Sequence, residues 1–299
     1  MRDGKVLTGM LAQQQTEQYR EDGFTSDAGF LSKEEISALL SDMEEISAGC
    51  TLAKHNKDRL EMEPNQSSHG TLVRRIYEPC TYYPRFRALS NSSKLLDSVQ
   101  QLIGANLIFH YSKINMKPPR IGSVVEWHQD ISYYPLTNRD SLAVLFYLDD
   151  ADSSNGCLQV VPGFQDSPLM NHSKDKLFRG KIIEPVDESR AVPIPGAAGT
   201  AIFMHGATPH ASTTNRSTQP RRTLILSYHA ADAFPIYFGE MTVSNEIHSR
   251  LVRGEVANAA RFSGGTIPIP KYPATIASLY QLQELPMDNE AARGGVTRQ

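Results

Sequence analysis

Val124-Val-Glu-Trp-His-Gln-Asp130 and, eighty residues on, Phe203-Met-His-Gly-Ala-Thr-Pro-His210 are the two stretches on which the reading of this chain turns. On a strand, side chains i and i+2 project to one face, so His128 and Asp130 can offer an imidazole nitrogen and a carboxylate oxygen to one metal ion. A third donor is then needed, and either His205 or His210, both just after a β-type run, can supply it. Two histidines and a carboxylate leave three coordination positions open, the usual set for non-haem Fe(II) centres that take up a cosubstrate and O2. His-x-Asp alone reads equally well as a hydrogen-bonded pair without metal. The order of the surrounding elements has to decide.

Outward from these stretches, short β-type runs are broken by Gly, Pro and Asn: Leu107 to Asn115, Val124 to His128, Leu142 to Leu148, Leu158 to Val161, Thr200 to Phe203 and Thr223 to His229. Strands without helices between them predict a barrel or a two-sheet sandwich with helices packed outside. Two helices precede them. Ser32-Lys-Glu-Glu35 matches a capping box, followed by Ile36, Leu39, Leu40, Met43 and Ile46 on one face. The second runs from Ser93 to Ile103 and stops at Gly104. A last helical pattern covers Ser244 to Val252. Asn171 to Pro193 mixes charges with little periodicity and reads as a lid or insertion loop. The expected organisation is a flexible leader over 1–18, one domain over 19–286 and a flexible tail over 287–299.

The 299 residues carry 30 Lys plus Arg against 33 Asp plus Glu, a formal charge of −3, with no long run of one sign. That argues against nucleic-acid and membrane-surface binding driven by charge. No apolar stretch approaches the roughly 20 residues of a spanning helix, and no secretion signal is legible. Three widely spaced cysteines give neither a disulfide framework nor a zinc ribbon, as expected of a cytoplasmic protein.

Several further features carry a family likeness: Arg20-Glu-Asp-Gly-Phe24, Gly29-Phe-Leu-Ser-Lys-Glu-Glu35, Asn115-Met-Lys-Pro-Pro119, the Asn155-Gly-Cys-Leu158 turn, Pro162-Gly163, Gly199-Thr-Ala-Ile-Phe203 and Pro220-Arg-Arg222. In this order, over roughly Tyr19 to Asp232, the chain resembles the phytanoyl-CoA dioxygenase-like family of Fe(II)/2-oxoglutarate oxygenases. The resemblance implies a mainly β fold with flanking helices, a double-stranded β-helix (a cupin-like jelly roll) with the metal at its mouth. It makes His128, Asp130 and His210 the iron ligands. It also implies an arginine eleven residues beyond the distal histidine on the far carboxylate of 2-oxoglutarate, which is Arg221 here. The same count from His205 reaches Arg216, but that residue sits in the polar run Thr213 to Thr218, whereas Arg221 opens a strand. Lys113 and Asn115 match family positions near the cosubstrate, and Phe146 a bulky position beside it. The cofactors so implied are Fe(II), 2-oxoglutarate and O2, with ascorbate as the usual aid in vitro.

The expected activity is oxidation, by default hydroxylation, of an unactivated C–H bond in a small-molecule substrate of secondary metabolism, with release of succinate and CO2. A metal-dependent cupin-type isomerase or hydrolase and a non-catalytic binding module are the rivals. No nucleic-acid or membrane partner is expected, and the oligomeric state is open, a homodimer included. The face Phe109, Tyr111, Lys113, Asn115 suits a ligand wall. Arg222 should point to the opposite face from Arg221. Tyr133 and Tyr134 are candidates for the substrate cavity, and Arg74 and Arg75 read as a surface pair that can approach an anion. His110, His172, His229 and His248 lack carboxylate partners at ligand spacing and read as structural or surface residues.

Overall fold

The computed structural model describes residues 10–236, 249–263 and 279–284. In chain order it has helix α1 (Gln13–Asp22), strand β1 (Phe24–Asp27), helix α2 (Lys33–Ser47), β2 (Leu60–Met62), β3 (Val73–Tyr77) and three helices, α3 (Pro79–Tyr82), α4 (Pro84–Ser90) and α5 (Ser93–Ile103). Then follow β4 (Leu107–Lys117), β5 (Val125–His128), β6 (Ser141–Tyr147), β7 (Leu158–Val160), β8 (Ser173–Lys174), β9 (Leu177–Phe178), β10 (Val192–Ile194), β11 (Ala201–His205), β12 (His210–Ser212), β13 (Arg221–Ala230), β14 (Arg250–Arg253) and α6 (Leu279–Glu284). None of the described helices is long and apolar enough to cross a membrane.

Two antiparallel sheets form the double-stranded β-helix. The larger has the order β1-β11-β6-β13-β4-β3-β2, with β14 also on β4; the smaller is β10-β7-β12-β5. Period-two alternation assigns each strand two jobs. On β13, Leu224, Leu226 and Tyr228 pack outward into a core shared with α2, α4 and α5, including Leu39, Phe86 and Leu95, while Ile225 joins a second core between the sheets. Strand β6 is buried along its whole length, the mark of a strand covered on both faces.

Helix α2 starts as its capping box requires: Ser32 Oγ accepts from the Glu35 amide, and the Glu35 carboxylate accepts from the Ser32 amide. The expected leader is partly folded. Helix α1 begins at Gln13 and ends at Gly23 in the left-handed region. It has almost no apolar periodicity, burying only Thr16 and Tyr19, so its order comes from docking. The Leu11 amide donates to Gln101 of α5 at 2.8 Å. The helical pattern over Ser244 to Val252 is also corrected, since Arg250–Arg253 is a strand on β4 and residues 237–248 lie outside the described ones, as does the tail 287–299. Within Asn171 to Pro193 the loop carries the small β8/β9 hairpin.

Candidate metal centre

The smaller sheet builds the centre. His128 ends β5 and His210 opens β12, and the two are direct cross-strand partners, with ring centroids 4.0 Å apart. Gln129 keeps the extended conformation (φ −120°, ψ 123°), so Asp130 still emerges on the face of His128, although it already belongs to a 3-10 turn over Asp130–Ser132. Asp130 Oδ1 lies 3.7 Å from His128 Nε2 and 3.8 Å from His210 Nε2. All three side chains are buried, and their donor atoms lie within 4.8 Å of one another.

Two backbone carbonyls fix which nitrogens face inward. His128 Nδ1 donates to the Glu126 carbonyl at 2.8 Å and His210 Nδ1 to the Thr208 carbonyl at 3.0 Å. Each ring is thereby held in the tautomer that leaves Nε2 with its lone pair toward Asp130. Burial, and for His128 the neighbouring His210 ring, pushes both imidazoles below their ordinary pKa, so they are neutral donors at pH 7. Two neutral imidazoles and a carboxylate on one side of an ion suit ferrous iron with open positions, so the residues present fit the metal.

The facing sheet closes a cavity over these donors. Its inner row pairs Arg221 with Lys117, Thr223 with Asn115 and Ile225 with Lys113, and β6 adds Leu145 and Tyr147. Arg221 is 5 % exposed, with Nη1 donating to Thr223 Oγ1 at 2.6 Å and Nη2 to the Gly156 carbonyl at 2.8 Å. Gly156 must be glycine: φ is +78°, and a Cβ there would sit 2.3 Å from the Thr213 carbonyl oxygen. Burial draws the Lys113 ammonium down to about 8, with the Asp130 carboxylate opposing that shift. Asn115 Oδ1 accepts from Arg75 Nε at 3.1 Å.

His128, Asp130, His210, Arg221, Lys113 and Asn115 therefore share one cavity. Phe146 does not, and this corrects the expectation. It packs on Phe30 in the helix-side core that also holds Phe203, because the cavity face of that strand belongs to the odd positions. Tyr147 is the bulky residue that the cavity receives, its hydroxyl donating to the Ile194 carbonyl and accepting from the Leu158 amide. His205 points the other way, its Nδ1 accepting from the Ala207 amide at 3.0 Å and its ring lying 6.1 Å from that of Tyr19. Arg222 faces away from the cavity in a bidentate pair with Asp149.

Arg74 and Arg75 are buried rather than a surface pair, with Arg74 on Glu63 and Ser123. Tyr133 stands edge-on to His128 at 5.8 Å. His172 is neither isolated nor superficial. Its Nε2 accepts from the Gln129 amide at 3.1 Å, and Gln129 in turn receives the Met170 amide and donates to the Ala207 carbonyl. The loop after Gln165 is thus clasped to the residue between two metal donors, a contact without a local signal in the sequence. His248 lies outside the described residues.

Residues 19–223 match the model of the phytanoyl-CoA dioxygenase family. The chain is 33 % identical over 234 residues to a probable alpha-ketoglutarate-dependent hypophosphite dioxygenase of Stutzerimonas stutzeri, covering 76 % of this chain and 81 % of that one. It is 29 % identical over 220 residues to the methylphosphonate hydroxylase of Gimesia maris, covering 74 % and 81 %. Among solved structures, EctD from S. alaskensis with 2-oxoglutarate and 5-hydroxyectoine superposes with a TM-score of 0.61 at 21 % identity, over 88 % of each chain. With a metal triad of the right chemistry on the smaller sheet of a double-stranded β-helix, the chain belongs to the phytanoyl-CoA dioxygenase family of iron and 2-oxoglutarate-dependent dioxygenases.

Proposed function

We propose that the protein hydroxylates a C–H bond of a small, polar organic molecule, converting R–H, O2 and 2-oxoglutarate into R–OH, succinate and CO2. The observation that carries this reading is the joint presence of the His128, Asp130, His210 triad and the buried Arg221 in one cavity. Iron with bound 2-oxoglutarate supplies the oxidative decarboxylation and the power to abstract hydrogen. The chain supplies the geometry. His128, Asp130 and His210 would hold the metal, and Arg221 would offer a planar fork to the far carboxylate of the cosubstrate, its guanidinium oriented by Thr223 and Gly156. Lys113 adds a second cation to the same cavity and Tyr147 a wall. The buried Arg221 in the metal cavity favours this reading over an isomerase or hydrolase that works without 2-oxoglutarate.

The test is succinate formation from 2-oxoglutarate with Fe(II) and ascorbate, with and without a substrate panel. The panel includes hypophosphite and methylphosphonate, which the relatives' names put within reach of this family. His128→Ala, Asp130→Ala and His210→Ala should each lose bound iron and turnover, because each removes one of three protein donors. Retention of both in His210→Ala with their loss in His205→Ala would overturn the ligand assignment.

A further inference from the structure

We propose that His110, with Tyr134 and His229, forms the subsite that receives an uncharged, hydroxyl-bearing end of the substrate. This deepens the hydroxylase reading above and rests on it.

The pairing of β4 with β13 slips by one residue: Ser227 lies opposite Tyr111, but Tyr228 lies opposite Phe109, so His110 is the extra residue of a bulge. Bulges of this kind re-aim a side chain. Phe109 is turned to the helix-side core, where it meets Tyr228. His110 is turned instead against Tyr134 and His229, with ring centroids 4.6 and 5.1 Å away. It is 4 % exposed, and neither of its ring nitrogens has a hydrogen-bond partner among the described residues. The hydroxyls of Tyr134, 5 % exposed, and of Ser141, opposite His229 on β6, are equally without partners. Buried polar atoms are ordinarily satisfied, so a cluster of them is a site waiting for a complement.

Its place in the fold joins it to the reaction. Tyr134 follows the metal donor Asp130 by four residues through one tight turn. His229 lies four residues along β13 from Ile225, which lines the metal cavity. At about 3.3 Å per residue that is roughly 13 Å along β13, and His229 shares the parity of Ile225, Thr223 and Arg221, which face the cavity.

Chemistry selects the class of that far end. A neutral imidazole carries one N–H and one lone pair, and His229, whose Nδ1 donates to the Ala230 carbonyl at 2.8 Å, has only a lone pair left at Nε2. A group that both donates and accepts, as a hydroxyl does, complements this set. The charges acting on Tyr134 and on Tyr19 beside it are the carboxylates Asp130 and Asp140, and burial, then the neighbouring His229, lowers the pKa of His110. Among the described residues no cationic side chain is recorded against His110, Tyr134 or His229, so an anion would enter against that field.

Two probes of equal chain length, 1,2-decanediol and decylphosphonate, are titrated into the anaerobic Fe(II)·2-oxoglutarate enzyme, following the metal-to-ligand charge-transfer band. The diol should perturb the band, and its Kd should rise at least tenfold in His110→Phe and in Tyr134→Phe. The second variant removes a single oxygen and preserves the packing. Decylphosphonate should bind at least tenfold more weakly than the diol. A diol that does not bind the wild type, an unchanged Kd in both variants, or tighter binding of the phosphonate overturns the proposal. Absence of the band itself would count against the cosubstrate assignment instead. In that event the diol is titrated against the ring nitrogen resonances of His110 and His229 in labelled protein, where unmoved resonances overturn the subsite.

Discussion

Arg221 and Arg222 are neighbours in sequence with opposite fates: the first is inside the cavity with its fork pre-set, the second outside on Asp149. Arg221→Ala should weaken 2-oxoglutarate binding by about 30-fold to several thousand-fold, the equivalent of about 2 to 5 kcal/mol for a buried carboxylate left without its charged partner. Lysine at 221 should restore only part of this, since a point charge lacks the two-pronged geometry. Arg222→Ala should leave cosubstrate affinity nearly unchanged, and titration of 2-oxoglutarate into the anaerobic Fe(II) enzyme separates the two. Lys113 sets a pH dependence. Burial holds its pKa at about 8, so it is charged below that pH and neutral above. If the ammonium attracts the cosubstrate, the KM for 2-oxoglutarate is flat below pH 8 and climbs above it, by at most tenfold per pH unit. Lys113→Met should raise the KM at pH 7 and abolish the climb, which a pH series of initial rates would reveal. At this scale the donors His128 and Asp130 were legible from i, i+2 spacing and His210 from Arg221 opening a strand eleven residues on; the exclusion of His205 is seen directly only in the fold. It follows from His205 lying on the odd, helix-facing positions of β11, with Ala201 and Phe203.

Among the elements, strand β4 shows where reading by alternation works and where it stops. Lys113 and Asn115 share the cavity face as period two requires, yet Phe109, expected on the same face, is on the other. One extra residue at His110 reverses the parity of everything before it, and nothing local in Leu107-Ile-Phe-His-Tyr111 announces a bulge. Helix α5 is the opposite case. Its stripe of Leu95, Leu96, Val99 and Ile103 is buried as its spacing predicts, and Leu95 is fully inaccessible between the helices and the larger sheet. Leu95→Ala should cost about 2 to 5 kcal/mol of stability through lost burial and the cavity left behind, read from the denaturant midpoint at unchanged m. Because α5 lies behind the larger sheet rather than over the metal, the iron content of the folded fraction should not change. Helix α1 escaped notice for the converse reason. Its residues are polar, and its order is borrowed from α5 and β1 through Gln101 and Thr25.

For the whole molecule, the metal centre joins segments more than eighty residues apart, and ligands that bind only the folded state must stabilise it. At a hundred times the dissociation constant a single ligand contributes about 2.7 kcal/mol, which for a domain of this size raises Tm by roughly 5 to 10 °C. Fe(II) with 2-oxoglutarate should produce such a shift in anaerobic thermal unfolding, and Asp130→Ala should lose it. The sequence by itself determined the class of fold, the capped helix at Ser32, the donors His128 and Asp130 and, through the family likeness and the strand-opening Arg221, His210 as the third. These depend on periodicity and on residue chemistry, which are local properties. Tertiary structure alone decided that Tyr147 and not Phe146 meets the cavity, that Arg75 reaches Asn115, that Gln129 and His172 clasp the loop onto the metal strand, and that His110 turns inward. Each of those depends on the register between strands far apart in the chain, and register is set by the packing of the whole sheet, where one bulge is enough to exchange its faces.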